Sequence, residues 1–397
     1  MPTKRNTIIA IAKGIAIILV VAGHAEGPEW LTNFIYEFHM PLFFMAAGFF
    51  FSRKYLSDPW PFIARRFKGL YLPFLKWSML FLLLHNVWFH IGVLNETYGN
   101  WTGGVTHPYT LKQGVGRLLT IVTQMAGYDE FIAGAFWFFR GLLVASIVFL
   151  LLYKLVDSHT RLKPMAGVGA VCLLILAILA VRINFHLKIN ALAGGGWRDM
   201  WGVFFFGAGY LFQQFGQQAG RRRWVALLCM VFLCWGATQH FCGMYNGGKF
   251  LDLLTLPLTG IGGFLLVYYI SSRIDSREGR LRDALIYLGE NTLYIFILHI
   301  LAYKPVSLLK IAWYGLDPQQ MGCHMVIHDM RPDWFWIPYT IAGVLLPVCA
   351  LELARLMRRS GKRIHQRIRD KRNEAGADAE AYESGSIGFH IGEKTLD

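Results

Sequence analysis

Thr7-Ile8-Ile9-Ala10-Ile11-Ala12-Lys13-Gly14-Ile15-Ala16-Ile17-Ile18-Leu19-Val20-Val21-Ala22-Gly23-His24-Ala25 is an apolar run that holds one cation and closes on a histidine. About 20 helical residues cross a ~30 Å hydrocarbon core, so the run predicts a membrane-spanning helix. Its length, and the lack of a small-x-small cleavage site after it, argue against a signal peptide. Further segments of the same kind lie near 31–51, 69–93, 131–152, 165–182, 197–215, 224–242, 250–272, 284–304 and 335–357. The expected fold class is all-α: a polytopic membrane protein with about ten transmembrane helices. Residues 1–357 form the membrane-embedded domain, and 358–397 form a basic, then disordered, cytoplasmic tail.

Composition agrees with that reading. A length of 397 residues alone would allow two or three soluble domains. However, Asp, Glu, Lys and Arg make up only 16% of the chain, against 55% apolar residues. A soluble domain carries about 25% charged residues, so too little charge is present to cover a water-facing surface. The net charge of +14 does not point to nucleic acid, because its placement is topological. With the N-terminus inside, the inner loops hold Arg53, Lys54, Arg65, Arg66 and Lys68, then Lys154, Arg161 and Lys163, then Arg221–Arg223, then Arg273, Arg277, Arg280 and Arg282. Every inner loop is basic, which predicts an N-in/C-in orientation. The outer loops at 94–130 and 305–334 are long and carry Trp101, His107, Tyr109, Trp313 and Trp334. Such aromatics either stack on sugar rings or form an interfacial belt. Five of the six cysteines fall in apolar segments, so no disulfide framework is expected.

Polar groups inside apolar runs suggest function, because a central Lys costs roughly 2.5–3.5 kcal/mol on insertion scales. Lys13 and His24 are eleven residues apart, which places them on one helix face, roughly 16 Å apart along the axis. One face thus offers a cation toward the cytoplasm and a titratable base toward the outside. The bland alternative is that Lys13 snorkels and His24 caps the helix. His39 lies within the second run, where Pro41 frees a carbonyl in the preceding turn. Trp137 and Arg140 lie in the fourth run. In the ninth, nine residues separate Glu290 from His299, which puts them on opposite faces of one helix; His299 reads as a packing histidine. Cys323-His324 and His328-Asp329 have no second pair at metal-ligand spacing, so no metal is expected.

Several of these runs resemble one family. Lys13 through His24 resembles the opening of the acyltransferase-3 integral-membrane O-acyltransferases. Phe38-His39-Met40-Pro41-Leu42-Phe43-Phe44-Met45-Ala46-Ala47-Gly48-Phe49 is similar to the branch that includes fucose 4-O-acetylase-like proteins. Arg65-Arg66 with Pro73, Trp137-Phe138-Phe139, and Leu288-Gly289-Glu290-Asn291-Thr292-Leu293 with His299 resemble later segments of the family. The resemblance implies a donor, acyl-CoA and usually acetyl-CoA, that enters from the cytoplasm as co-substrate. It implies an acceptor hydroxyl on a glycan or lipid-linked sugar. No bound cofactor is required. By position, His24 is the catalytic base and Lys13 takes the arginine position of the Arg-x10-His pattern. Arg65, Arg66, His39, Trp137 and Arg140 are the expected substrate or acyl-CoA contacts. Lys13 departs from the commoner Arg, keeping charge but losing bidentate contact. Ala47 departs from the usual Ser. The expected location is the plasma membrane, the inner membrane in a bacterium. The competing function class is a secondary transporter of a small polar solute, with His24, His39 and Arg140 as a relay. Uptake without acyl-CoA favours that class; tight CoA binding counts against it.

Overall fold

The computed structural model describes residues 6–99, 104–160, 162–189, 193–245, 248–325 and 333–386. Its elements are helices: α1 (Thr7–Gly23), α2 (Glu29–Tyr36), α3 (His39–Phe49), α4 (Lys54–Ser57), α5 (Trp60–Arg66), α6 (Leu72–His90), α7 (Leu111–Gln124), α8 (Glu130–Ala133) and α9 (Trp137–His159). They continue with α10 (Pro164–Phe185), α11 (Trp197–Leu211), α12 (Arg223–Thr238), α13 (Asp252–Asp275), α14 (Arg280–Glu290), α15 (Thr292–Ala302), α16 (Lys304–Tyr314) and α17 (Trp336–Ser386). Two compact units result, Met1–Pro347 and Val348–Asp397. In the second, Arg355 and Glu352 pair across one helical turn.

Among the described residues, six helical stretches are long and apolar enough to cross a membrane: Trp60–His90, Glu130–His159, Pro164–Phe185, Asp252–Asp275, Thr292–Tyr314 and Trp336–Gly361. Two shorter apolar helices, Thr7–Gly23 and Arg223–Thr238, accompany them. The difference from ten uniform spans has local causes. The 31–51 run breaks between α2 and α3 at Glu37 and Phe38, just before Pro41, whose ring and missing N–H disfavour a continuous helix. The 284–304 run breaks at Asn291, between α14 and α15. The 305–334 stretch, expected as a loop, begins as helix α16, and 94–130 contains α7. The tail expected to lack structure from 373 is helical as far as Ser386.

α1 is central. Asn6 caps it by accepting from the Ile9 N–H at 3.1 Å, which satisfies one of the orphan donors of a helix start. Ile9, Ile11, Ala16, Ile17 and Val21 are fully buried. α1 packs along α14 through reciprocal glycines: Gly14 faces the Leu285 carbonyl and Gly289 faces the Ala10 carbonyl. At both positions a side chain would collide with backbone. We expect Gly289→Val to force the two helices apart, at a cost of about 1–3 kcal/mol or more. A lowered thermal midpoint of the detergent-purified protein checks this; an unchanged midpoint counts against the close approach.

A second close pair sets the site. Gly202 of α11 lies against Phe44 of α3, and Gly48 of α3 lies against Phe206 of α11. His39 at the start of α3 and Arg198 near the start of α11 border one cavity. Other glycines make similar close approaches: Gly209 meets Met45, Gly260 meets Phe205 and Gly263 meets Phe38.

Candidate functional site

α1 ends at a cavity of about 920 Å³ whose wall includes His24, Tyr36, His39, Trp137, Arg198 and Phe296. Loop residues Tyr98, Gly104, Gln320, Cys323 and His324 complete it. His24 follows the last turn of α1, where its backbone N–H still bonds to Val20 and Val21. The Tyr303 hydroxyl donates to the Val21 carbonyl at 2.6 Å, which ties that turn to the α15–α16 segment.

The protonation pattern of the histidines follows from their partners. His299 Nδ1 faces the carbonyls of Phe296 at 2.9 Å and Ile295 at 3.2 Å. A carbonyl only accepts, so Nδ1 carries the proton and Nε2 holds a lone pair. That Nε2 lies 2.9 Å from His24 Nδ1. His24 Nδ1 must then donate, which leaves His24 Nε2 as the lone-pair nitrogen of a residue on the cavity wall. A backbone carbonyl two residues removed from the chemistry thus selects the tautomer of His24. His39 is buried and oriented in the same way, with Nδ1 donating to the Ile35 carbonyl at 2.9 Å. Pro41 supplies no N–H for the Glu37 carbonyl; the Thr259 hydroxyl donates to it at 3.4 Å instead.

The spacing argument for His299 fails at the helix break. The rotation of 100° per residue holds only along one continuous helix, and Asn291 interrupts it. His299, expected to be a packing residue, is instead the direct partner of His24.

The cations fall into three groups. Lys13 is half-buried, within the electrostatic reach of Glu290 on α14, and is not part of the described cavity wall. Arg140, buried on α9, sits 3.5 Å from Asp199, also buried, so its charge is answered within the protein. The arginine on the cavity wall is Arg198, which was not among the expected contacts. Its guanidinium lies 4.5 Å from the Trp137 ring centroid and 4.3 Å from that of Tyr245. Trp137 itself is on the wall. Arg65 and Arg66 lie elsewhere. Arg65 is exposed and donates to the Tyr55 hydroxyl at 3.0 Å. Arg66 stacks on Phe62 and Phe206 and donates to the Ala47 carbonyl at 3.4 Å. Ala47 is eight residues along α3 from His39, about 12 Å of helix rise. One helix thus joins the histidine cavity to a basic end. Ala47, where the family pattern has Ser, meets Arg66 through its backbone.

The loops over the cavity are firmly attached. His85 is fully buried; Nδ1 pairs with Asp129 at 2.6 Å and Nε2 with the His107 carbonyl at 3.0 Å. Tyr109 stacks on His85 on one side, with Arg117 4.3 Å from its ring. Its ring is thus engaged inside the protein and does not serve as an open sugar platform. Trp313 and Trp334 pack edge-to-face on each other at 6.0 Å. Lys304, buried, donates to the carbonyls of Met321 and Cys323, both at 2.6 Å, and so holds the 318–325 turn. Trp101, His328 and Asp329 lie outside the described residues. Among the described residues no cluster of three or more His, Cys, Asp or Glu side chains is arranged to hold a metal.

His324 donates from Nε2 to the Glu130 carbonyl at 3.0 Å. Burial pushes its pKa down from 6.5 to about 4, a shift that nearby Lys304 and His24 reinforce and the Glu130 bond opposes. A histidine with a depressed folded pKa binds fewer protons than the unfolded chain between those two values. Its contribution is therefore present above pH 6.5 and is lost as the pH falls toward 4. We expect hydrogen exchange of the 318–325 turn to quicken over that window, and His324→Gln to flatten the dependence. Exchange that is independent of pH in the wild type, after intrinsic-rate correction, overturns this.

No curated protein and no solved structure matches the chain. The acyltransferase domain does match, over residues 6–352, which covers α1 through the cavity and into α17. The apolar helices, the buried histidine pair and that match agree, and the chain belongs to the acyltransferase-3 family of membrane acyltransferases.

Proposed function

We propose that the protein transfers an acetyl group from acetyl-CoA to a sugar hydroxyl of a cell-surface glycan or lipid-linked sugar. The observation that carries this reading is the His299–His24 pair on the cavity wall, with its lone pair at His24 Nε2. In the proposed step, His24 Nε2 takes the proton of the acceptor hydroxyl as that oxygen attacks the thioester carbonyl. The C–O bond forms, the C–S bond breaks, and His24 returns the proton to the departing CoA sulfur. His299 accepts from His24 Nδ1 throughout and so steadies the imidazolium that forms in between. Direct transfer fits this site better than an acyl-enzyme, because among the described residues no Ser, Cys or Lys is hydrogen-bonded to His24.

The donor enters, in this reading, from the end of α3 where Arg66 lies and Arg65 is exposed; a guanidinium there suits CoA phosphates. His39 and Trp137 line the path of the acyl group. Lys13, answered by Glu290, and Arg140, answered by Asp199, act as fixed charges that hold the bundle around the site rather than as ligand contacts. We place the chain in the plasma membrane, the inner membrane in a bacterium, with both ends cytoplasmic, on the strength of the basic loops. In this placement α1, α2 with α3, α11 and α12 join the six long stretches as a ten-helix bundle over residues 1–357, with 358–397 as a tail. The Phe38–Phe49 run supports the fucose 4-O-acetylase-like branch.

The test compares a deletion strain with strains complemented by the wild type or His24→Ala at equal membrane abundance. Surface glycan is examined by NMR for O-acetyl signals, before and after mild base. Restoration by the wild type alone supports the proposal. Identical spectra in all strains remove surface glycan as acceptor. Uptake of a solute by vesicles lacking acyl-CoA, together with no CoA binding, replaces it with the transporter reading.

A further inference from the structure

The cavity wall carries a cation that the transfer chemistry leaves without a task. Arg198 begins α11 and is half-buried. Its guanidinium lies over the rings of both Trp137 and Tyr245. Two aromatic contacts restrict the rotamers of the side chain. Among the described residues no hydrogen bond or ion pair engages its N–H donors, although the cavity wall includes the residue. The neighbouring Asp199 pairs with Arg140 at 3.5 Å.

A desolvated guanidinium with free donors in a ligand cavity is a receptor for a carboxylate or phosphate. Two anions are available to this reaction: a phosphate of CoA, or an acidic group on the acceptor. The position favours the acceptor. Arg198 shares the cavity wall with His24 and His39, whereas Arg66 lies beside Ala47 and Phe206. Glu26 and Glu130 also border the cavity, so an anion bound there needs a cation as its partner.

We propose that Arg198, which lies against the rings of Trp137 and Tyr245, is the subsite for an anionic group on the acceptor, so that the protein prefers an acidic sugar to a neutral one. This deepens the acetyl-transfer reading and rests on it for the word acceptor. The binding claim itself is tested without turnover. The wild-type protein in lipid nanodiscs is titrated with glucuronic acid against glucuronamide, with glucose 1-phosphate against glucose, and with CoA. The expected result is at least tenfold tighter binding of one acid than of its neutral counterpart. Arg198→Gln is expected to reduce that preference to less than twofold and to leave CoA affinity unchanged, which also shows that the variant is folded. Arg198→Lys is expected to keep part of the preference, and serves as the measured variant if the Gln form fails to assemble.

The proposal is overturned if the wild type shows no preference in either pair, or if the preference survives in both variants. A selective loss of CoA affinity in Arg198→Gln also overturns it, by assigning the subsite to the donor phosphates. Acetyl-CoA turnover is followed separately. An Arg198-dependent preference with no turnover removes the transfer reading and leaves the subsite. Turnover with no acid preference removes the subsite and leaves the transfer reading.

Discussion

His24→Ala is expected to lower kcat for acetyl transfer by about 10²–10⁴-fold, the contribution of one positioned general base. KM for acetyl-CoA changes little, because the proposed donor contacts lie at the other end of α3 and the lost interaction belongs to the reacting state. The measurement is single-turnover transfer of labelled acetyl in membranes with matched protein levels. The variant leaves an opening beside His299 Nε2 on the cavity wall, so added imidazole is expected to restore part of the rate. Full transfer by His24→Ala sinks the proposed mechanism.

The second large effect concerns the partner rather than the base. His299→Leu removes the acceptor that selects the tautomer of His24. Nothing then prevents the proton from moving to Nε2, the nitrogen that must be bare. A wrongly protonated base is as inactive as a missing one, and loss of a tautomer-setting partner costs up to about 10⁴-fold in triad enzymes. We expect His299→Leu to reduce kcat by roughly 10²–10⁴-fold on those grounds. His299→Gln offers a side-chain carbonyl to His24 Nδ1 and is expected to retain activity within about tenfold of wild type. The pair of variants separates roles: a packing histidine is replaced better by Leu than by Gln in a buried apolar wall, and a tautomer-setting one the reverse. Equal activity of the two variants counts against the relay.

Much of this was readable from the sequence, and the exceptions have physical causes. His24, His39 and Trp137 were legible because a polar or amphipathic group within an apolar run has few bland explanations. All three line one cavity. Lys13 was legible as a buried cation, but its answer, Glu290, lies on a helix hundreds of residues away and no periodicity connects them. His299 was misplaced because the argument from helical rotation ran straight across Asn291. Arg198 passed unnoticed because it stands at the edge of a predicted span, where a cation is ordinary. Its place on the cavity wall follows only from the folded arrangement of α9 and α11. The ten-segment reading met the same limit: hydropathy finds apolar runs, and it does not see a run split in two by a proline or ended early by a turn. Six helical stretches have the full length, and α1 and α12 are shorter.

The 318–325 turn supplies Gln320, Cys323, His324 and Met325 to the cavity wall, yet Lys304 grips it by the carbonyls of Met321 and Cys323. Carbonyls are present whatever the side chains are. Attachment and surface chemistry are therefore separable: the same ammonium can hold a turn of different composition in the same place. Substrate range in this part of the wall is open to change by drift at Gln320 or Met325 without a matching change in the anchor. A library varied at those two positions is a rational start for redirecting the protein to new acceptors.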